Sequence, residues 1–313
     1  MSTKVRAVLT DSTAPGNVRL GEIAAPLPLA SEALVRVAAT SLNRGEIRRA
    51  GQGPAGRPIG WDFTGTVERA ASNGSGPKDG TRVVGMLAVG AWADRIAAPT
   101  ESLCPLPDNV TFEQAATLPV AGLTALYGLD KAAALLGCKV LVTGGTGGVG
   151  HMAIQLAGAA GAHVVATVRA ETKAGVVREA GAHEVIAATD PSVRAHGPYD
   201  VVLDGVGGAS LAAALTTLRK NGTCVVYGTT AAPELTFGLP AFYATGGATL
   251  YGFILFHELL RAPAGVGLAR LVDLVASRRL RPLIDVVAPI DRISEIAKAL
   301  TDRSFSGKAV ITF

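Results

Sequence analysis

From residue 139 to residue 253 the chain alternates between short Val-rich runs and Ala/Leu-rich stretches of helical character. The runs are 139–143 (KVLVT), 163–168 (HVVATV), 184–188 (EVIAA), 200–204 (DVVLD), 223–227 (TCVVY) and 248–253 (ATLYGF). Helical stretches at about 148–160, 171–180 and 209–219 separate most of them. Continuous apolar strands, without period-two alternation, belong to a sheet buried on both faces. Strands spaced by helices join as parallel neighbours through crossovers. The fold class expected for this stretch is therefore α/β, with a doubly wound parallel sheet.

The flanks have a different texture. The first hundred residues read as short strands at 4–10, 32–38, 64–70, 81–86 and 93–98, cut by Gly/Pro turns such as SNGSGPKDG (72–80). That rhythm predicts a small β-barrel-like lobe. Thr111, with Glu113 and Gln114 behind it, opens a helix, and the Ala/Leu-rich segment runs on to about 136. A long helix is expected at about 264–279, and the tail 283–313 returns as strand, helix and strand, rejoining the first lobe.

The loop after the first Val-rich run reads TGGTGGVG (143–150) and fits two nucleotide-binding patterns. Gly145, Gly147 and Gly150 spell G-x-G-x-x-G. Thr143, Gly144, Gly148 and Gly150 spell T-G-x-x-x-G-x-G, the short-chain dehydrogenase pattern, and Tyr127 with Lys131 offers the Y-x-x-x-K that goes with it. Order excludes the second reading. In that family the loop opens the chain and the Tyr–Lys pair lies far downstream, whereas here the pair precedes the loop. In the first reading Gly145 allows the tight turn, Gly147 and Gly148 let backbone approach a pyrophosphate, and Gly150 lets the helix pack on the sheet. The phosphates then meet free N–H groups and the positive end of the helix dipole. A glycine-rich turn without a ligand is the plain alternative.

Composition narrows the class of partner. At 49% hydrophobic and 17% charged residues, with 38 glycines, the chain suits a soluble α/β protein. A net charge of +4 with scattered basic residues gives no basic arm or stripe for nucleic acid. Cys104, Cys138 and Cys224 are widely spaced, show no metal or redox spacing and point to a reducing cytoplasm. Lys4 and Arg6 interrupt the N-terminal stretch, so no signal peptide is expected, and no apolar run is long enough to span a membrane.

Six segments taken together resemble the zinc-free, quinone oxidoreductase-like group of medium-chain dehydrogenases/reductases. They are SLNRGEIRRAG (41–51), GWDFTGTV (60–67), LPVAGLTALYGL (118–129), VLVTGGTGGVGHMAIQLA (140–157), VVLDGVGG (201–208) and SGKAVITF (306–313). The resemblance implies a GroES-like β-barrel domain over 1–115, a Rossmann NADPH-binding domain over 116–254, and a return to the first domain over 255–313. It also implies a cleft for a nicotinamide cofactor and a homodimer formed through the strand at 248–253.

Zinc-dependent relatives carry a Cys near Asn43 and a His in a G-H-E run, which is Gly60-Trp61-Asp62 here. Trp cannot ligate a metal, and the five histidines lie outside the barrel motifs without H-x-x-x-H spacing, so no metal site is expected. The second strand ends as ATVRAETK, with Arg169 and Lys173 where an NAD enzyme usually places a carboxylate, although Glu171 is near. Cations there suit the 2′-phosphate of NADPH. Two solvated cations at a helix start are the alternative. The Tyr that relatives often have at the third strand end is Ala188.

By resemblance, Asn43 lies beside the nicotinamide and its ribose. Thr124, Thr146, Gly147, Gly148, Val149 and Gly150 contact the cofactor, as do Gly228 and Thr229 after the fifth run. Gly252 and Phe253 present backbone to the nicotinamide amide, and Lys308 of the closing S-G-K lies near the cofactor. Arg44 and Arg48 are candidates to polarise a carbonyl, or else surface residues; Asp62 reads as a hydrogen-bonding scaffold. Relatives place a Tyr after the Asn segment, but none occurs between 50 and 60, so no general acid is assigned. The expected chemistry is hydride transfer to a small molecule, a quinone or an α,β-unsaturated carbonyl. Two alternatives are an enoyl-thioester reductase of polyketide or fatty-acid type and a non-catalytic NADPH-binding protein.

Overall fold

The structure, a computed structural model, describes residues 4–132 and 134–313. Its contacts divide the chain into two units. One holds the chain up to Leu123 together with Leu259–Arg278 and Pro282–Phe313; the other holds Thr124–Glu258 and Arg279–Arg281.

The second unit is built on six parallel strands: Lys139–Val142, His163–Val168, Glu184–Ala187, Tyr199–Asp204, Leu218–Val226 and Thr249–Gly252. Numbered along the chain from one to six, they lie side by side in the order 3-2-1-4-5-6. The order reverses between Lys139–Val142 and Tyr199–Asp204. In sheets of this type the loops on either side of such a point diverge and leave a crevice for ligands at the strands' C-terminal ends. The central strands are fully buried, with Val140, Leu141, Val142, Val202 and Leu203 all at 0–2% exposure, as both-face burial requires. Helix Gly148–Ala159 follows the first strand and Gly208–Leu215 follows the fourth. The sequence reading omitted helix Asp190–Ala195, whose six residues fall below the length at which periodicity is visible.

The first unit carries a seven-stranded sheet. Its path runs Ile284–Pro289, Lys308–Thr312, Glu32–Ser41, Asp62–Arg69, Arg82–Met86 and Leu103–Pro105, with Arg95–Pro99 also paired to Glu32–Ser41. The tail rejoins it as expected: Lys308–Thr312 pairs antiparallel with the end of Glu32–Ser41. A separate hairpin joins Lys4–Thr10 to Val18–Ala24 through Pro15–Asn17, where Gly16 and Asn17 take positive φ. Trp92, Phe63, Val35 and Ile311 sit in the core of this unit, all at 0% exposure.

The Ala/Leu-rich segment after Thr111 is divided into three helical pieces. Thr111 caps helix Phe112–Ala116, with its Oγ1 accepting from Gln114 N (3.2 Å) and Gln114 Oε1 accepting from Thr111 N (3.1 Å). Pro119, which lacks an N–H and crowds the preceding turn, then falls in a widened π turn, Leu118–Gly122. A third piece, Leu123–Leu129, ends the run.

Candidate active site

In the second unit the glycine loop is held from below by hydrogen bonds. Gly144 N donates to Thr167 Oγ1 (3.1 Å), Gly145 N to Thr167 O (3.0 Å) and Thr143 N to Leu203 O (3.1 Å). Gly144 sits at φ +63, the left-handed region. Gly150 is required by a close approach, since a Cβ there would lie 2.4 Å from Gly144 O. Gly147 caps helix Gly148–Ala159. The first-turn N–H groups of Gly148, Val149 and Gly150 have no acceptor within their own helix and point out of its N-terminus. Thr146, Gly147, Gly148 and Val149 are half-buried, so the turn is reachable by a ligand.

Across the switch point, Asp204 ties this loop to the next one. Its Oδ2 accepts from Thr143 Oγ1 (2.7 Å), and its Oδ1 accepts from Gly207 N (2.7 Å) and Val206 N (3.1 Å). Thr143 Oγ1 in turn accepts from Gly205 N (3.1 Å). Both side chains are completely buried. Burial raises the Asp204 carboxyl, and the three donors pull it back. The sequence showed this Asp only as the last letter of a Val-rich run; its partners come from strand adjacency.

Arg169 and Lys173 are exposed beyond the second strand's end, Lys173 closing the short turn Glu171–Lys173. Gly228 and Thr229 follow the fifth strand; a Cβ on Gly228 would lie 3.0 Å from Gly205 O. Phe253 is buried and its N–H donates to Val226 O (2.8 Å), extending the sheet ladder. That donor is therefore committed within the chain, while Gly252 is exposed. Thr124 is buried at 5% exposure. Lys131, of the rejected Tyr127–Lys131 pair, bridges to the buried Glu258 (2.5 Å), which also accepts from Tyr251 Oη.

In the first unit a buried charged cluster surrounds Asn43, the residue before helix Arg44–Ala50. Its Nδ2 donates to Asp62 Oδ2 (2.8 Å) and to Glu46 Oε2 (3.2 Å), and its Oδ1 accepts from Lys308 Nζ. Lys308 Nζ also donates to Leu42 O (2.8 Å) and lies 3.5 Å from Asp62 Oδ2. Glu46 accepts from Asn43 N (2.8 Å) and Trp61 N (2.6 Å); Asp62 accepts from Ser41 Oγ (2.8 Å) and Val120 N (3.0 Å). Asp62 is the scaffold its position suggested. Lys308 has its ammonium directions occupied inside the chain, so it supports Asn43 rather than offering a free cation. Burial and the neighbouring Asp62 charge push Glu46 well up; burial pushes Lys308 down, and Asp62 and Glu46 oppose that. Arg44 and Arg48 lie exposed on the helix that follows. Trp61, at the position where zinc relatives have His, packs its ring under the Arg49 guanidinium (5.2 Å to the centroid). Among the described residues no group of three or more His, Cys, Asp or Glu side chains is arranged to hold a metal ion. No helix among them is long and apolar enough to cross a membrane.

Two family profiles match: the alcohol dehydrogenase GroES-like domain over residues 30–108 and the zinc-binding dehydrogenase domain over 148–264. A chloroplast envelope quinone oxidoreductase homolog of Arabidopsis thaliana is 31% identical over 93% of this chain and 92% of its own length. A 2-methylene-furan-3-one reductase of Solanum lycopersicum is 28% identical over 92% of this chain and 74% of its own length. A mycocerosic acid synthase-like polyketide synthase of Mycobacterium tuberculosis is 36% identical over 178 residues, but the chain spans only 8% of that protein's length. A mycobacterial protein solved in complex with NADPH superposes with a TM-score of 0.86 at 29% identity, covering 98% of this chain and 100% of that one. With its two-part architecture, glycine loop and full-length relatives agreeing, the chain belongs to the quinone oxidoreductase-like group of the medium-chain dehydrogenase/reductase family and is an oxidoreductase of that family.

Proposed function

We propose that this protein is a zinc-independent, NADPH-dependent oxidoreductase that reduces a quinone or an α,β-unsaturated carbonyl. The observation that carries the reading is the start of helix Gly148–Ala159 at the switch point, whose first-turn amides stand beside a strand end bearing Arg169 and Lys173. The residues present fit a dinucleotide: Gly144 and Gly150 keep the loop low, and a Cβ at Gly150 would collide with backbone.

When bound, the nicotinamide supplies a hydride equivalent. The chain's own residues do the rest. The N–H groups of Thr146, Gly148, Val149 and Gly150 hold the pyrophosphate, Gly147 lines it while its own N–H donates to Gly144 O (2.9 Å), and Arg169 and Lys173 pair with the 2′-phosphate. Thr124, Gly228, Thr229, Gly252 and the carbonyl side of Phe253 line the route towards the nicotinamide; in the first unit Asn43, fixed by Lys308, offers its amide oxygen to a ligand hydroxyl. Arg44 and Arg48 are the candidates to polarise a substrate carbonyl, and solvent delivers the proton. The donor set at the zinc-relative positions is an amide and an indole, neither suited to Zn²⁺.

The protein acts as a homodimer in the cytoplasm. Thr249–Gly252 is the last strand of its sheet and exposes Leu250 at 43%, and three free cysteines suit a reducing compartment.

The polyketide synthase similarity favours a second reading, reduction of an enoyl thioester. Steady-state NADPH oxidation with a quinone, an enone and an acyl thioester separates the two; tight NADPH binding without turnover on any of them would indicate a binding protein instead. Replacing Arg169 and Lys173 with Ala should raise KM for NADPH on the order of tenfold more than KM for NADH, since charge-assisted hydrogen bonds are lost only with the phosphate. Equal increases for both cofactors would refute the 2′-phosphate assignment.

A further inference from the structure

Tyr227 stands beside the switch point, against the residue that ends the fourth strand, although no motif asks for a tyrosine there. It directly follows strand Leu218–Val226, and its N–H donates to Asp204 O (2.9 Å). Its ring covers Gly205: a Cβ on that glycine would lie 2.6 Å from Tyr227 Cε2, Cζ and Oη alike. Gly205 follows strand Tyr199–Asp204, which pairs directly with the strand that feeds the glycine loop. The phenol thus leans from the fifth strand back over the end of the fourth, towards the loop. On that side the loops touch, since a Cβ on Gly144 would lie 3.4 Å from Val206 Cγ2.

The hydroxyl has no role in holding the chain together. No hydrogen bond joins it to another described residue, and it is not among the polar atoms sealed from solvent without a partner. Tyr227 is half-buried, and burial together with the Asp204 charge raises its phenol, so at neutral pH it is a donor.

Adjacent strands lie about 4.8 Å apart. With the diphosphate over the first strand's helix and the 2′-phosphate end towards the second strand, the next part of the dinucleotide along the sheet edge is the nicotinamide-side ribose, over the fourth strand. We infer that the Tyr227 hydroxyl donates a hydrogen bond to that ribose and is a cofactor-positioning contact of the nicotinamide half. The inference rests on the NADPH reading above.

Calorimetric titration of wild type and Tyr227→Phe with NADPH and with adenosine 2′,5′-bisphosphate tests it. The second ligand carries the 2′-phosphate end and lacks the nicotinamide half. The expected result is an NADPH Kd raised about fivefold, the loss of one neutral hydrogen bond, with the bisphosphate Kd and the melting temperature unchanged. An unchanged NADPH Kd overturns the contact. Equal weakening of both ligands overturns it too, because the substitution would then act on the whole crevice. Wild-type protein that binds neither ligand overturns the cofactor reading itself and this contact with it.

Discussion

Asp204→Ala is the substitution with the most specific consequence. The carboxylate takes one hydroxyl and two backbone N–H groups, from Thr143, Val206 and Gly207, all at 2.7–3.1 Å. Its site is closed, with Asp204 and Thr143 at 0% exposure. Truncation leaves these donors facing a void. Each unmet buried donor costs about 1–3 kcal/mol, and the native carboxylate's own burial cost is recovered, so a net loss of about 3 kcal/mol is expected. For a unit of this size that is a melting-temperature drop of roughly 6–12 °C. The loop is also released: Thr143 no longer spans to the fourth strand, so the amides that would meet a pyrophosphate lose their fixed direction. NADPH affinity should therefore fall along with stability. Asp204→Asn keeps one oxygen for the two backbone donors and turns its amide towards Thr143 Oγ1, so it should lose about half as much. Differential scanning fluorimetry, with and without NADPH, reads both effects. An Asp204→Ala protein melting within about a degree of wild type would refute this account of the crevice.

Two further outcomes follow from buried titratable groups. His151, on helix Gly148–Ala159, is pushed down to about 4 by burial, and its Nδ1 lies 3.0 Å from Gln155 Nε2. A His lowered from 6.5 in the folded state is neutral there but charged in the unfolded chain between those values. It therefore costs stability as pH falls below 6.5, by about 2 kcal/mol at pH 5. Urea denaturation at pH 7.5 and pH 5 should show His151→Leu losing less stability than wild type over that interval; parallel losses would refute the assignment. In the other unit, Lys308→Met leaves Asp62 and Glu46 buried without their cation and should cost about 3–5 kcal/mol in the same assay. A loss below about 1 kcal/mol would mean that one carboxyl is protonated already.

What the sequence disclosed depended on how local the signal was. The parallel sheet was legible because both-face burial writes itself as uninterrupted Val-rich runs, and the cap at Thr111 because a capping box spans four residues. Strand Val18–Ala24 escaped because Gly21 breaks its pattern and its partner, Lys4–Thr10, is what stabilises it. The division of the Ala/Leu-rich segment at Pro119 is hidden by its uniform Ala and Leu content. The strand order 3-2-1-4-5-6 has no local signature. Tyr227 over Gly205 and Asp204 on Thr143 depend on that order, so both were invisible. Asn43 was found through its motif, but the motif carries no information on Lys308, some 265 residues away, which holds its oxygen.

The same device appears in each unit, at a candidate site residue. In one, a buried Asp204 uses its oxygens to hold the glycine loop. In the other, Asp62 and Glu46 take the Nδ2 protons of Asn43 while Lys308 takes one side of its Oδ1. Burying such charges is a poor way to gain stability, since desolvation offsets most of the attraction. It is an effective way to fix direction, because a flipped amide would set Nδ2 against the Lys308 ammonium and Oδ1 against two carboxylates. Asn43 is left with one open lone pair and no open proton. Whatever it meets must therefore donate to it, as a ribose hydroxyl does and a carbonyl oxygen does not. Preorganisation of this kind is what a site pays for in advance so that no reorientation is needed when the ligand arrives.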